Sequence, residues 1–385
     1  MADVHIIGIG QTKVGEHWDR SLRQLGVAAV RSALRDAELE EVDALFVGNM
    51  LSGEVCGQQH LATLIAEQAG LPGIEATRVE AACGSGGAAM RSAFAEVASG
   101  LSKVVVALGV EKMTDRPGPE VTAGLAGAAD ADFEARMGLS FVAINALLMR
   151  RYMHEHGVAH ADFAPFVVNA HDNARLNAHA MFRFPVGPAD FARSPMVADP
   201  ISVLDSSPVC DGAAAVVVCS GDVARASRRP SVRVRTCAIG TDTVAVHDRR
   251  DILRLEGVAR SAHRAYEATG ISPSDIDLFE VHDAFSIMSA LSLEACGFAE
   301  PGRAVDLAQS GAIRLDGRLP LSTRGGLKAR GHPVGASGMY QIVEVAEQLR
   351  GELGRGQVPG ARLGMAQSIG GSGATAITTL LEATR

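Results

Sequence analysis

AAVRSALRDAELEEVDALFVGN (residues 28–49) and GVARSAHRAYEATGISPSDIDLFEVHD (257–283) read as two versions of one unit. Each holds an Arg-Ser-Ala triplet on a helical pattern, then an aspartate, then a short apolar strand that ends in a polar pair. Asp43 falls opposite Asp277, and Asn49 opposite Asp283. A second pair follows the same relation. CGSGGAAMRSA (83–93) and GASGMYQIVEV (335–345) both open a helical run with small residues, and each leads to a strand, at 104–108 or 362–366. An internally duplicated α/β half accounts for both pairs. The competing account is chance likeness between amphipathic helices.

Around these repeats the apolar periodicity alternates. It predicts strands at 4–9, 44–47, 77–81 and 103–109, and helices at 22–39, 61–69 and 88–98. Such alternation points to a mostly parallel sheet with helices on its faces. Between Glu111 and a strand at 213–219 lies an insert of about one hundred residues. It opens with the linker TDRPGPE, carries helical patterns at 141–156 and 161–178, and closes with FPVGPADFARSPMVADP. An insert of this length suits a lid or substrate-binding subdomain. The expected division is 1–112 with 200–226 as the first half, 113–199 as the insert, and 227–385 as the second half, entered through SRRPS at 227–231.

Composition narrows the function. The chain has 385 residues, 47% hydrophobic and only 4% aromatic, with 42 glycines, which suits a tightly layered body of more than one domain. A net charge of −8 argues against nucleic-acid binding. The strongest apolar run, 104–110, is too short to span a bilayer. The six cysteines form no CxxC pair and no metal-ligand spacing, so neither a disulfide framework nor a metal site is expected. The expectation is a soluble protein of a reducing, cytoplasmic compartment.

Cys83 is the sharpest single residue. It sits at the first turn of the GSGGAAMRSA helix, where the positive end of the macrodipole would lower its pKa and make it a nucleophile. A buried structural thiol is the bland alternative. Cys56 lies in a glycine-containing loop and could meet an interface, while Cys210, Cys219, Cys237 and Cys296 read as packing. His332 stands in the glycine-rich stretch GGLKARGHPVGASG, a setting that suits a positioned base as well as a satisfied loop histidine. His282 ends a strand, where α/β sheets place their ligands. Asp283 beside it reads as a helix cap. QSIGGSGATA (367–376) is a glycine turn between strands, able to supply an oxyanion donor or only a hairpin.

Four motifs in order, AACGSGG around Cys83, HDAF at 282–285, GHPVGASG at 331–338 and SIGGSG at 368–373, resemble the thiolase superfamily over essentially the whole chain. HDAF and the insert stretches RRYMHEHG and NAHDNARLNAHAMF resemble its sterol-carrier-protein-X and archaeal branch. The resemblance implies two βαβαβαββ halves in five α-β-α-β-α layers, and a homodimer or homotetramer. It implies acyl transfer through Cys83, with coenzyme A and acyl-CoA as substrates, no permanent cofactor and no metal. His332 would take the Cys83 proton, His282 and His332 would polarise a thioester oxygen, and the Cys83 and Gly370 N–H groups would hold an oxyanion. Many members carry a second cysteine as acid/base, but those positions are Ser368 and Ala284 here. A small OB-fold, zinc-ribbon partner is implied for the branch. Arg175, Arg183, Lys328 and Arg330 are candidates for the CoA phosphates. The alternatives are an acyltransferase or aldolase on a bulkier CoA ester, or a non-catalytic CoA-binding scaffold.

Overall fold

The computed structural model of the chain describes residues 3–384. The first half runs β1 (Val4–Gln11), α1 (Leu22–Ala37), β2 (Ala44–Gly48), α2 (Leu61–Ala69), β3 (Glu75–Val79), α3 (Ser85–Ser99) and β4 (Val104–Glu111). The insert follows with α4 (Gly118–Ala126), α5 (Phe141–His156), α6 (Ala164–Ala174), α7 (Pro188–Ala192) and a small hairpin, β5 (Met196–Ala198) with β6 (Ile201–Ser202). The chain re-enters the body as β7 (Gly212–Ser220) and α8 (Gly221–Ala226). The second half is β8 (Val232–Thr241), α9 (Glu256–Thr269), β9 (Leu278–Glu280), α10 (Ser286–Ala295), α11 (Ala304–Gln309), α12 (Ser337–Arg350), β10 (Leu363–Gly370) and β11 (Thr375–Ala383).

Nine strands join in the order β3-β2-β4-β7-β1-β8-β11-β10-β9. The duplication is visible about the β1–β8 seam, where among the described residues only His5 with Arg233 and Ile6 with Val232 pair. Outward from it, β1-β7-β4-β2-β3 on one side matches β8-β11-β10-β9 on the other. Leu321 bridges Phe279 in parallel and stands where β3 stands in the first half. The sheet is mixed rather than mostly parallel. Three pairings are parallel, and the other five, all involving β7, β11 or the β1–β8 seam, are antiparallel. Each half ends with a strand that returns antiparallel beside its neighbour, β11 from β10 through a hairpin and β7 beside β4 after the insert.

Helices α1 and α9 cover the outer faces, α1 on β1 and β7, α9 on β8 and β11. Helices α3 and α12 contact strands of both halves and each other, so they form the middle of five layers. Local sequence explains the elements. The Ser21 hydroxyl accepts the Gln24 N–H at 3.3 Å, and Gln24 Oε1 accepts the Ser21 N–H at 2.8 Å, a reciprocal cap that starts α1. Helix α1 then buries Leu22, Leu25, Ala29, Val30 and Ala33 on one stripe. Strands β4 and β7 are buried on both faces and read as continuous apolar runs, as central strands do.

Glycine permits the closest helix–sheet contacts, at equivalent places in the two halves. A Cβ on Gly10 would lie 2.4 Å from the Ala33 nitrogen, and one on Gly240 would lie 2.3 Å from the Gly257 oxygen. Gly240→Ala should therefore cost about 1–3 kcal/mol through overpacking against α9. Gly118→Ala, whose Cβ would meet nothing within 4 Å, should leave the denaturation midpoint unchanged. Equal midpoints for the two variants in a urea titration would contradict this packing account.

Candidate active site

Cys83 stands in the turn from β3 into α3. Ala82 before it has φ +50°, a left-handed conformation that costs a non-glycine residue roughly 1–3 kcal/mol. The buried Ser85 hydroxyl holds this turn: it donates to the Ala82 carbonyl at 2.6 Å and accepts the Ala81 N–H at 2.9 Å. The expectation of a lowered thiol pKa is corrected here. Burial, and then the Glu111 carboxylate, push the Cys83 thiol up to about 12, while the backbone N–H groups of Cys83 and Gly371 pull the other way. Although Cys83 keeps some accessible surface, its sulfur is hemmed in by protein. A helix N-terminus contributes about 0.3–1 kcal/mol to an anion. Desolvating a thiolate opposes that with a larger cost, so the thiol rests protonated.

His282 follows β9, and His332 lies in the glycine loop before α12; both are buried. Their rings meet edge to face, centroids 5.1 Å apart. Burial, reinforced by Arg330, lowers the His282 pKa to about 3. Burial, then His282 and Arg330, hold His332 well below the usual imidazole range. Burial and the neighbouring Arg330 disfavour the charged form of both imidazoles, so the pair is neutral at pH 7. The Ile369 N–H reaches His282 Nδ1 at 3.3 Å. A backbone N–H only donates, so Nδ1 accepts and His282 carries its proton on Nε2. His332 Nδ1 lies 2.6 Å from the Ser337 hydroxyl.

These groups share one cavity of about 180 Å³. The first half supplies Cys83 and Val209, the second half His282, Ala284, Met288, His332 and Gly371. The insert closes it with Leu125 of α4 and Phe141, Val142 and Asn145 of α5. Among the lining residues Cys83, His282 and His332 are the titratable ones. A larger groove of about 510 Å³ beside α6 and residues 308–316 contains neither cysteine nor histidine.

Other expectations are corrected by burial. Lys328 and Arg330 are 2% and 0% exposed, so neither faces a CoA phosphate. Lys328 Nζ donates to the Asp205 carbonyl at 2.8 Å, and the Arg330 guanidinium lies over Tyr340 and 3.5 Å from Glu344. Arg175 and Arg183 stand together on the surface, away from the cavity lining. Asp283 is not a helix cap; it accepts the Leu327 N–H at 2.7 Å and pins the loop leading to His332. QSIGGSGATA is a hairpin joining β10 to β11, and Gly371, one residue past Gly370, lines the cavity. Ser368 does not line it: its hydroxyl is buried without a partner between Gly87 and Gly338. Among the described residues no group of three or more His, Cys, Asp or Glu could hold a metal ion. Among them no helix is long and apolar enough to cross a membrane.

Sequence reasoning missed Glu111. Its carboxylate is fully buried and accepts Asn49 Nδ2 at 2.8 Å and the N–H groups of Met50, Leu51 and Gly335 at 2.9, 3.2 and 3.1 Å. Gly335 belongs to the His332 loop, so Glu111 ties that loop to the Cys83 half. The signal was a lone acid closing the apolar run 104–110.

Residues 4–222 match the family described as thiolase, N-terminal domain, and residues 238–383 the one described as thiolase C-terminal domain-like. The chain belongs to the thiolase family. This thiolase is 46% identical to an acetyl-CoA acetyltransferase of Methanothermobacter thermautotrophicus, over 98% of each chain. It is 30% identical to sterol carrier protein 2 of Rattus norvegicus, over 97% of this chain and 71% of the other. Among solved structures it is similar to an Ltp2-ChsH2(DUF35) aldolase, with a TM-score of 0.87 and 26% identity, over 100% of this chain and 98% of that one. The thiolase fold expected from the motifs is the fold observed.

Burial raises the Glu111 pKa to about 7 despite its N–H donors. A carboxyl raised in the folded state adds stability below its unfolded pKa of about 4.5 and loses it as pH rises through 7. Relative to Glu111→Gln, the wild-type protein should therefore lose on the order of 3 kcal/mol between pH 4.5 and pH 8. Urea titrations of both proteins at several pH values measure this. A wild-type-minus-variant difference that does not change with pH would contradict it.

Proposed function

We propose that this thiolase is an acetyl-CoA C-acyltransferase that makes or cleaves a 3-ketoacyl-CoA through an acyl-Cys83 intermediate. The observation that carries the reading is the meeting of Cys83, His282 and His332, from two halves of the chain, in one mostly apolar cavity. The thiol is protonated at rest, so attack requires a base at the moment of reaction, and neutral His332 serves as that base. Sulfur attacks the acyl carbon, the C–S bond to CoA breaks, and CoA leaves with the proton. A second acyl-CoA, deprotonated at its α-carbon, then attacks the acyl-Cys83 carbonyl; in the degradative direction free CoA attacks it instead. His282 Nε2–H hydrogen-bonds a thioester oxygen, and the backbone N–H groups of Cys83 and of the Gly370–Gly371 turn hold the oxyanion.

Cavity size favours a short acyl group, since about 180 Å³ is below the ~300–1,000 Å³ of pockets that take drug-sized ligands. The pantetheine and nucleotide would run out along the insert, with Arg175 and Arg183 as the remaining phosphate candidates. We propose a homodimer or homotetramer. The likeness to the Ltp2-ChsH2(DUF35) aldolase favours one second reading, carbon–carbon cleavage on a bulkier CoA ester beside a partner subunit of the OB-fold, zinc-ribbon kind. Alanine at 284 and a Ser368 hydroxyl outside the cavity leave that reading open.

Purified protein mixed with acetoacetyl-CoA and CoA should remove the enolate absorbance, and Cys83→Ala should lower the rate by at least ~10⁴-fold. A stable acyl adduct on Cys83 without turnover would favour the second reading, and no adduct with any acyl-CoA would leave a CoA-binding scaffold. The resting state has its own test. With a thiol pKa near 12, alkylation of Cys83 by iodoacetamide should climb about tenfold per pH unit from 7 to 10. A plateau near pH 8.5, as for an ordinary cysteine, would show that the sulfur is not desolvated.

A further inference from the structure

The deeper question in this cavity is how one acid/base group can serve two proton transfers. This inference rests on the acyl-transfer reading above. Thiol deprotonation and α-carbon deprotonation each need an acceptor, and neither Ala284 nor Ser368 offers one to the cavity. The two imidazoles remain, and their hydrogen bonds set them apart. His282 accepts a backbone N–H on Nδ1, so it presents an N–H and no lone pair through Nε2. The Ser337 hydroxyl is buried, has one hydrogen, and lies 3.1 Å from the Pro333 carbonyl, which only accepts. When that hydrogen goes to Pro333, the 2.6 Å contact to His332 must run from Nδ1–H to the Ser337 oxygen. The nitrogen left for the cavity, His332 Nε2, then carries a lone pair.

We propose that Ser337 is a positioning residue that fixes His332 in its Nδ1–H tautomer, making His332 Nε2 the single base for both half-reactions. The proton count closes. In the first half-reaction His332 Nε2 takes the Cys83 proton as the S–acyl bond forms, and returns it to the departing CoA sulfur as the C–S bond breaks. In the second it takes the α-carbon proton as the carbon–carbon bond forms, and returns it to the Cys83 sulfur as the thioester breaks. Each half-reaction starts and ends with a neutral imidazole, so a second acid/base residue is unnecessary. His282, locked in the opposite tautomer, donates through Nε2–H to the thioester oxygen of the second acyl-CoA as its α-carbon is deprotonated.

Histidine-selective ¹⁵N labelling, with signals assigned by His282→Gln and His332→Gln, reads both tautomers in the substrate-free protein. The proposal expects Nδ1–H on His332 and Nε2–H on His282; Nε2–H on His332 would overturn it. Ser337→Ala should mix the His332 tautomers and slow two rates by a similar factor, roughly 10- to 100-fold. The rates are acylation of Cys83 by acetyl-CoA, followed by intact-protein mass, and condensation from the preformed acyl-enzyme; Ser337→Thr, which keeps the hydroxyl, should restore both. A loss confined to acylation would point to a separate base for carbon deprotonation and sink the single-base claim. If Ser337→Ala does not fold, the wild-type spectrum still decides the tautomer. Absence of any acyl-Cys83 in the wild-type protein would instead remove the acyl-transfer reading and with it the base assignment, while the spectrum would stand by itself.

Discussion

One buried carboxylate holds the two halves of this site in register. Glu111 closes β4 in the half that carries Cys83, and one of its oxygens accepts the Gly335 N–H of the loop that carries His332. The same carboxylate takes Asn49, Met50 and Leu51 at the end of β2. Four donors converge on one group that water does not reach, so the loop has little freedom to drift from the nucleophile. The arrangement has an electrostatic consequence. A negative charge beside Cys83 opposes its ionisation, and burial opposes it further. The thiol and both imidazoles are therefore uncharged at rest, and charge develops on them only as substrate reacts.

Small residues make that arrangement possible. The middle layer brings α3 and α12 close enough that a Cβ on Gly86 would lie 2.8 Å from the Met339 nitrogen, and one on Gly338 2.6 Å from the Gly87 nitrogen. Two helix starts from opposite halves thus meet beside the cavity, which is why Cys83 and the His332 loop can face one another. The same crowding takes Ser368 out of the reaction, since its hydroxyl is wedged between Gly87 and Gly338.

A cluster of buried charges supports the second histidine. Arg330 lies against Glu344 and Tyr340, Asp283 accepts from Leu327, and Lys328 holds the Asp205 carbonyl. These groups are expensive to bury, and each lies against a polar or charged partner. Arg330 also helps keep His282 and His332 uncharged. Two of the four basic residues that looked like an anion site in the chain thus turn inward, Arg330 acting on the imidazoles and Lys328 on the Asp205 carbonyl.

The amino-acid sequence by itself determined the duplicated halves, the order of strands and helices, and the motifs that carry Cys83, His282 and His332. These follow from local periodicity and from glycines that only tight turns and close helix contacts require. The antiparallel return of β7 and β11, the protonated thiol, the inward roles of Asp283, Lys328 and Arg330, and the exclusion of Ser368 were decided only by the tertiary structure. The physical reason is that strand direction, desolvation and hydrogen-bond partnership depend on residues far away in the chain. Glu111 and Gly335, 224 positions apart and bonded at 3.1 Å, illustrate it.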